Sequence, residues 1–458
     1  MEARPGFHFF CRGNPPPALP GLSVTMQNNN IDRGKRQETK MQEKVITLAT
    51  PVFFLLIFIE LAVGLLRRRN TYRLNDAINS ISLGVLSQVS GVFMQVLRIG
   101  IYAWLASHIG LFKLPADSLW VWLSGLLLYD LCYYWLHRCG HEVNVLWAAH
   151  VVHHQSEDYN LSTALRQTSS GPFLSWIFYV PMAVLGYPVE VFAAVALIDL
   201  LYQFWVHTQQ IGKLGWLDRV LVTPSNHRVH HGVNDIYLDK NYGGILILWD
   251  RLFGTFIEER DQDPVVYGTR SPLRSWNPVW ANFEVYKVLW LDAWRAQRPG
   301  DKLRVWLKAP GWRPADVAAK WPGTSFDIAR PLYHPQLSLA AQVYCLVQFS
   351  IVLLVTTHFL AAQVAMSWPL GLAYAAWLAA GLWIVGGLME MRPRYAALEA
   401  LRLAATGAGV VIGKVWFGGV SLSPLLQGAV ITVSLVSMIA LWLIFKRFST
   451  THGHLSHQ

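Results

Sequence analysis

Charged residues are scarce in this chain of 458 residues: Asp, Glu, Lys and Arg make up 14% of it, against 53% hydrophobic residues. Soluble domains carry about 25% charged residues, so this composition argues against an ordinary soluble protein. The 21 tryptophans are a residue type enriched where membrane helices meet water. The composition predicts an all-α, multi-pass membrane protein.

Cysteine is scarce as well. The four cysteines, Cys11, Cys132, Cys139 and Cys345, are scattered along the chain and form no CxxC pair. This pattern argues against a disulfide framework and against a cysteine zinc site. We therefore expect a reducing compartment.

A signal-peptide core and a continuous basic stripe are both missing. Residues 1–45 contain PPPALPG and GKRQETK but no apolar run of signal-peptide length. We expect a disordered tail there; because Met41 directly precedes the first apolar run, an over-extended start of translation is an alternative. The net charge of +10 comes mainly from Lys and Arg beside apolar stretches, which predicts membrane topology and no nucleic-acid partner.

Long apolar runs define the path through the membrane. We predict spans at about 46–66, 79–106 and 117–136, an in-and-out hairpin over 172–207 interrupted by Gly-Tyr-Pro, and four further spans near 338–362, 368–390, 396–418 and 422–446. Arg67, Arg68 and Arg69 close the first span and mark a cytoplasmic loop. The chain then divides into a tail (1–45), a transmembrane domain (46–257), a cytoplasmic interfacial segment rich in Trp and Pro (258–335), C-terminal transmembrane helices (336–447) and a tail (448–458).

Nine of the 16 histidines fall within 95 residues, on the predicted cytoplasmic side. They form the motifs HRCGH, HVVHH and HRVHH with one lone member, namely His137, His141, His150, His153, His154, His207, His227, His230 and His231. Residues three or four apart share one face of a helix, so each motif can present two or three ring nitrogens together. The sequence therefore predicts a histidine-rich metal-binding helical cap.

The number of histidines indicates the kind of metal site. Neutral imidazole binds iron, zinc, copper and nickel, and mononuclear iron oxygenases typically use two histidines and one carboxylate. Eight or nine nitrogen ligands without thiolate therefore favour a pair of redox-active ions such as iron. A zinc protease is disfavoured because His141-Glu142 continues as HEVNV and lacks the second histidine of HExxH. A haem protein is disfavoured because axial histidines need no HxxHH triplet.

Two acids precede ligands at helical spacing: Asp130 lies seven residues before His137, and Asp199 eight before His207. An ionisable residue in a spanning segment predicts a function, and each carboxylate can accept the second ring N–H of a ligand. Helix capping or pairing is the alternative. His358 stands alone on an apolar helix, and we interpret it as a tolerated polar residue.

The three motifs together resemble the membrane-bound fatty acid hydroxylase and sterol desaturase superfamily, whose members use a histidine-rich di-iron centre. RNTYRLNDAINSISLGVLSQ, HEVNVLWAAHVVHHQSEDYNLSTALRQ and LDKNYGGILILWDRLFGTF resemble its alkylglycerol monooxygenase branch, over roughly residues 41–330. The resemblance implies that the nine histidines hold two irons and that tetrahydrobiopterin is the reductant. It implies hydroxylation of the carbon next to an ether oxygen, which releases a fatty aldehyde. The branch commonly has a histidine where this chain has Asn226, whose amide oxygen can still face the metals or a bridging water.

The expected partners are a lipid substrate, molecular oxygen, the bilayer and an electron-donor system. The membrane would be the bacterial inner membrane, or the endoplasmic reticulum in a eukaryote. Five residues are candidates for the polar mouth of the site by position: Tyr159, Asn160, Arg166, Asn241 and Tyr242. A sterol, carotenoid or fatty-acyl hydroxylase or desaturase of the same superfamily stays open as an alternative, and a divalent-metal transporter is a more distant one.

Overall fold

The computed structural model describes residues 49–94, 96–417 and 419–452. Residues 52–458 belong to one compact unit, and residues 49–51 are the described part of an N-terminal unit. The tail predicted over 1–45 lies outside the described residues. Of the tail predicted over 448–458, residues 448–452 are described, as the end of the last helix.

Helices dominate the described residues. The N-terminal half contains α1 (Ala49–Leu66), α2 (Leu74–Phe93), α3 (Ile101–Ile109), α4 (Leu119–Glu142), α5 (Asn144–His154), α6 (Leu161–Ala164), α7 (Pro172–Ser175), α8 (Val180–Val184), α9 (Val189–Trp205), α10 (Pro224–His230) and α11 (Leu248–Phe253). The C-terminal half contains α12 (Pro278–Arg295), α13 (Pro299–Leu307), α14 (Ala315–Lys320), α15 (Leu339–Ala362), α16 (Trp368–Met389), α17 (Pro393–Gly413) and α18 (Pro424–His452). A short antiparallel hairpin, β1 (Val415–Trp416) and β2 (Val420–Ser421), joins the last two helices.

Six of the described helices are long and apolar enough to cross a membrane: α1, α4, α15, α16, α17 and α18. They correspond to the first, third and last four spans that the sequence predicts. The prediction of a helical, multi-pass membrane protein is therefore confirmed. Helix α4 runs further than expected, through Glu142, so its final turns carry the first histidine motif.

The second predicted span, 79–106, is not one continuous helix. Helix α2 ends at Phe93, a π-helical turn occupies Val96–Gly100, and α3 begins at Ile101. The first turns of α2 bury Asn75, Asp76 and Asn79, which lipid would leave without hydrogen-bond partners. Asn79, for example, donates to the carbonyl of Trp276 at 2.7 Å. Helix α2 is thus an internal helix of the bundle.

The apolar stretch 172–207 folds back on itself, as its Gly-Tyr-Pro interruption predicts. Three consecutive short helical segments cover residues 172–184, and α9 runs back from Val189. Gly186 makes the turn with a φ of +81°, and a Cβ there would lie 1.8 Å from the carbonyl oxygen of Phe112. Only glycine fits this position. The return of the chain brings His207, two residues beyond α9, to the other histidines.

A helical cap lies on the side of the bundle where α1 ends. Arg67 donates to the carbonyl of Gln210 at 3.0 Å, so the arginine cluster after α1 sits beside the segment that follows His207. Within the cap, Asn144 of α5 donates to the carbonyl of Val305 in α13 at 2.9 Å. The cap thus combines the histidine-bearing helices with part of the predicted interfacial segment.

The last four helices bury an ion pair in their interior. Arg402 binds both carboxylate oxygens of Glu399, at 2.7 and 2.8 Å, and Glu399 is 0% exposed. Gln348 of α15 accepts from Arg402 at 3.3 Å and donates to Ser437 of α18 at 2.8 Å. This polar cluster therefore connects α15, α17 and α18 near their middles.

Replacing Arg402 by Met removes the positive partner of a buried carboxylate. We expect the free energy of unfolding to fall by about 3–5 kcal/mol, the usual cost of breaking a buried ion pair. The melting temperature of the purified protein in detergent measures this loss. The double variant Glu399→Gln with Arg402→Met should recover most of it, because no unpaired charge remains, and Lys446→Met at the exposed end of α18 is the matched control. An unchanged melting temperature for Arg402→Met would show that the pair adds no stability.

Candidate metal centre

The nine histidines come from four places in the fold that converge under the cap. The end of α4 supplies the first motif and the end of α5 the second, while α10 and the residue after it supply the third. His207 joins them from beyond α9. The structure brings all nine together in two groups, and within each group the ligand nitrogens lie within 4.8 Å of one another.

The first group contains five histidines: His137, His141, His150, His154 and His230. The Nε2 atom of His150 lies 3.1 Å from that of His137 and 3.0 Å from that of His154. The Nε2 atoms of His154 and His230 are 3.2 Å apart. The Nε2 atom of His141 is buried without a hydrogen-bond partner among the described residues. Facing lone pairs of this kind are stabilised by a shared cation.

The second group contains four histidines: His153, His207, His227 and His231. The Nε2 atom of His207 lies 3.1 Å from those of both His153 and His227, and the Nε2 atoms of His227 and His231 are 3.3 Å apart. The lone histidine of the sequence thus lies at the centre of this group.

The two HxxHH motifs divide their histidines between the groups in opposite ways. HVVHH gives its first and last histidines to the first group and its middle one, His153, to the second. HRVHH gives its first and last histidines to the second group and its middle one, His230, to the first. A pair spaced by four residues therefore serves one group, while the histidine between them crosses to the other.

Backbone carbonyls hold the outer nitrogens of four rings. These Nδ1 contacts are His137 to Tyr242 O at 2.8 Å, His153 to Arg166 O at 2.9 Å, His207 to Gln203 O at 2.7 Å and His230 to Lys240 O at 3.1 Å. A carbonyl only accepts, so Nδ1 must carry the proton and Nε2 keeps its lone pair. The four rings are therefore held in the tautomer that binds a metal through Nε2.

Burial keeps these rings neutral. It lowers the pKa of His153 to about 4. It also lowers the pKa of His150, His207 and His230 well below the usual value, with neighbouring histidines adding to the effect. Metal ions bind neutral imidazole and compete with protons for it. The ligand atoms are therefore available at neutral pH, and the donor set fits iron.

Asp130 and Asp199, the acids predicted to support the histidines, accept hydrogen bonds from other residues and not from the histidine rings. Asp130 accepts from the N–H groups of Ile245 and Leu246 at 2.8 and 3.0 Å, so it holds a loop, and His137 uses the carbonyl of Tyr242 instead. Asp199 accepts from the side chain of Gln203 at 2.6 Å. Since the Gln203 carbonyl faces His207, Asp199 is one residue removed from the ring.

Asn226 and Glu142 also make structural contacts. The Asn226 amide nitrogen donates to the carbonyls of Asp218 and Leu221, both at 3.0 Å, which fixes the segment before α10. Glu142 pairs with Arg138 on the surface of α4 at 2.9 Å.

The five residues expected at a polar mouth are all buried, each at most 1% exposed. Tyr159 donates to the carbonyl of Val206, and Arg166 donates to Asn79 and Val152. Asn160 caps α6, and Asn241 bonds the carbonyls of Asn226 and Ile257. Tyr242 differs, because its hydroxyl is buried without a partner among the described residues while its ring contacts those of the first group.

Two carboxylates that support the site were not predicted from the sequence. Glu60 of α1 accepts from Thr208 and from the Leu161 N–H, so it ties the first helix to the residue after His207. Asp250 accepts from the N–H groups of Tyr242 and Gly243 at 2.7 and 2.8 Å and so positions the carbonyl that holds His137. Glu60 had a signal, since it is an ionisable residue within an apolar span; Asp250 follows an ordinary loop and had none.

Comparisons with known proteins agree with this geometry. The family model for fatty acid hydroxylase matches residues 122–255, which contain all nine histidines. Alkylglycerol monooxygenase from Homo sapiens is 40% identical over 379 residues, covering 80% of this chain and 84% of that protein. The enzyme of the same name from Danio rerio is 40% identical over 366 residues, covering 78% and 80%.

A more distant relative matches a shorter part of the chain. Ornithine lipid hydroxylase OlsE from Rhizobium tropici is 30% identical over 133 residues, which is 29% of this chain and 40% of that protein. No solved structure matches significantly. Because identity of 40% extends over most of both chains, this protein belongs to the alkylglycerol monooxygenase family of fatty acid hydroxylases and is a membrane-bound lipid monooxygenase.

Proposed function

We propose that the chain is a di-iron oxygenase that hydroxylates the ether-linked carbon of an alkylglycerol. The hemiacetal formed collapses to a fatty aldehyde and glycerol. The observation that carries this proposal is the pair of adjacent all-histidine groups, in a chain whose relatives are named alkylglycerol monooxygenase. Oxygen supplies the inserted atom, and two electrons from a tetrahydropterin, with two protons, reduce the other oxygen atom to water.

Each histidine group is assigned one iron. When bound, the two irons would supply the activation of oxygen, a chemistry that imidazole-bound iron with open positions supports. The protein's own contribution is to hold the rings: backbone carbonyls fix Nδ1 of four histidines, which leaves Nε2 directed inward. Seven of the nine histidines are buried, and His150 and His153 are partly buried, which restricts the access of bulk water to the centre.

The Tyr242 hydroxyl is assigned to the reacting side of the first group. It is buried, has no partner among the described residues, and its ring lies 5.4 Å from that of His141. A hydroxyl in this position can donate a hydrogen bond to the ether or glycerol oxygen of a bound lipid. Its role is to orient the substrate.

The centre is assigned to the cytoplasmic face. Arg67 lies against Gln210, close to the second histidine group in sequence and space. Arg392, between α16 and α17, and Arg394, in the first turn of α17, line a cavity with residues of the cap. The positive-inside rule places such residues in the cytoplasm. The membrane is the endoplasmic reticulum of a eukaryote or the inner membrane of a bacterium. A metal transporter is disfavoured because its ligands usually lie near the bilayer midplane, whereas these histidines lie at or just beyond the ends of helices.

Removing one histidine from each group tests the metal assignment. His230→Ala and His153→Ala each deprive a different group of a ligand, so we expect bound iron to fall from about two per chain, one for each group, together with loss of oxidation. Elemental analysis of the purified protein measures the metal directly. His358→Ala is the control, because His358 bonds the Tyr374 hydroxyl at 3.0 Å and belongs to neither group. Equal losses in all three variants would indicate misfolding, and no iron in the wild-type protein would contradict the assignment.

The substrate assignment is tested with membranes that contain the protein. We expect fatty aldehyde to form from an alkylglycerol when tetrahydropterin and oxygen are both present, and none when either is left out. Aldehyde is measured by mass spectrometry after derivatisation, with His153→Ala membranes as the blank. Turnover of a sterol or fatty-acyl lipid without aldehyde from alkylglycerol would favour another hydroxylase of the superfamily and reject ether cleavage.

A further inference from the structure

A polar cavity lies where the cap meets the C-terminal helices. Its volume is about 310 Å³. The cavity is lined by Leu273, Arg274, Ser275, Asn277, Trp280, Glu390, Arg392, Arg394 and Tyr395. None of these residues belongs to either histidine group, so this cavity is separate from the metal centre.

The cavity carries an excess of positive charge. Three of its residues are arginines and one, Glu390, is an acid. The Glu390 carboxylate is already occupied: it accepts from the Ser275 hydroxyl and the Trp276 N–H, both at 2.7 Å, and pairs with Arg392 at 2.6 Å.

The other two arginines keep their charge without an acidic partner. Arg274 lies over the ring of Tyr333 and Arg394 over that of Tyr395. Among the described residues, no carboxylate pairs with either of them. Both are exposed toward solvent, so their donors remain available to an external anion. Paired guanidinium groups bind phosphate through two parallel hydrogen bonds each.

The backbone adds to the positive potential. Helix α12 begins at Pro278, directly after Asn277, and α17 begins at Pro393, directly after Arg392. The N-terminal ends of these two long helices therefore lie at the cavity, where their dipoles favour a negative charge. This effect supports the arginines but would not define a site alone.

The position of the cavity selects the kind of anion. Glu390, Arg392 and Arg394 lie in or beside the loop that joins two candidate membrane spans, α16 and α17. Trp280 and Tyr395 line the same cavity, and these aromatic residues are typical of the membrane interface. A phosphate that belongs to a membrane lipid can reach this depth with its acyl chains still in the bilayer.

We propose that the cavity binds the phosphate of an anionic membrane lipid, through Arg274 and Arg394 with Arg392 beside them. The site is independent of the lipid that is oxidised. It anchors the junction between the cap and the C-terminal helices to the headgroup layer.

Lipid retention by the full-length protein tests this proposal. The protein is purified in detergent, incubated with phosphatidic acid or phosphatidylcholine, and analysed by native mass spectrometry. We expect retention of phosphatidic acid over phosphatidylcholine, and a loss of about tenfold or more in apparent affinity for the double variant Arg274→Gln with Arg394→Gln, because charge-assisted hydrogen bonds are removed. Arg298→Gln, an exposed arginine of the cap outside the cavity, is the matched control and should bind as the wild type does.

Further arms separate the sources of phosphate and exclude misfolding. Inorganic phosphate should displace phosphatidic acid only weakly; displacement at equal concentration would indicate a soluble anion and overturn the lipid assignment. The double variant should retain the iron content and melting temperature of the wild type, and charge reversal in Arg394→Glu should weaken binding as well. Equal retention of phosphatidic acid by the wild type and the double variant, or equal retention of the two lipids by the wild type, would overturn the proposal.

Discussion

The fold depends on holding nine imidazole rings close together in the interior of the protein. Their Nε2 atoms approach one another at 3.0–3.3 Å, a distance at which two lone pairs repel unless a proton or a cation lies between them. Burial disfavours protons on His150, His153 and His231, since it lowers the pKa of each of these rings. The rings therefore have to be fixed from outside, and the carbonyls of the 240–242 loop, of Arg166 and of Gln203 perform that task.

The grouping of the histidines and most of the membrane spans could be predicted from the sequence, because both depend on local patterns. Spacings of three and four residues on a helix and apolar runs of about 20 residues can be recognised without tertiary information. The polar contacts of the first turns of α2 were not predicted, because the partners of Asp76 and Asn79 come from distant segments. The carbonyls that hold the rings could not be predicted either, because any residue supplies a carbonyl.

One chain of hydrogen bonds connects the C-terminal helices with the metal centre. Glu390 accepts from the N–H of Trp276, whose carbonyl accepts from Asn79 at 2.7 Å. Asn79 accepts from Arg166 at 2.6 Å, and the Arg166 carbonyl faces Nδ1 of His153 at 2.9 Å. The last four helices therefore do more than lengthen the membrane domain. They support, through α2, the carbonyl that orients a ligand, which gives them a place in an enzyme whose family motifs all lie upstream.

The opposite division of the two HxxHH motifs affects how the centre assembles. Because α5 and α10 each carry ligands of both groups, a cation held by either group orders the two helix ends that also build the other. If each group binds one ion as proposed, the first ion would remove much of the entropic cost of placing the histidines for the second, and loading would be cooperative without direct contact between the ions. The one-residue step between neighbouring histidines on α5, and between His230 and His231 after α10, places the two groups side by side. Because each HxxHH motif contributes to both groups, a shift of α5 or α10 would displace both groups together.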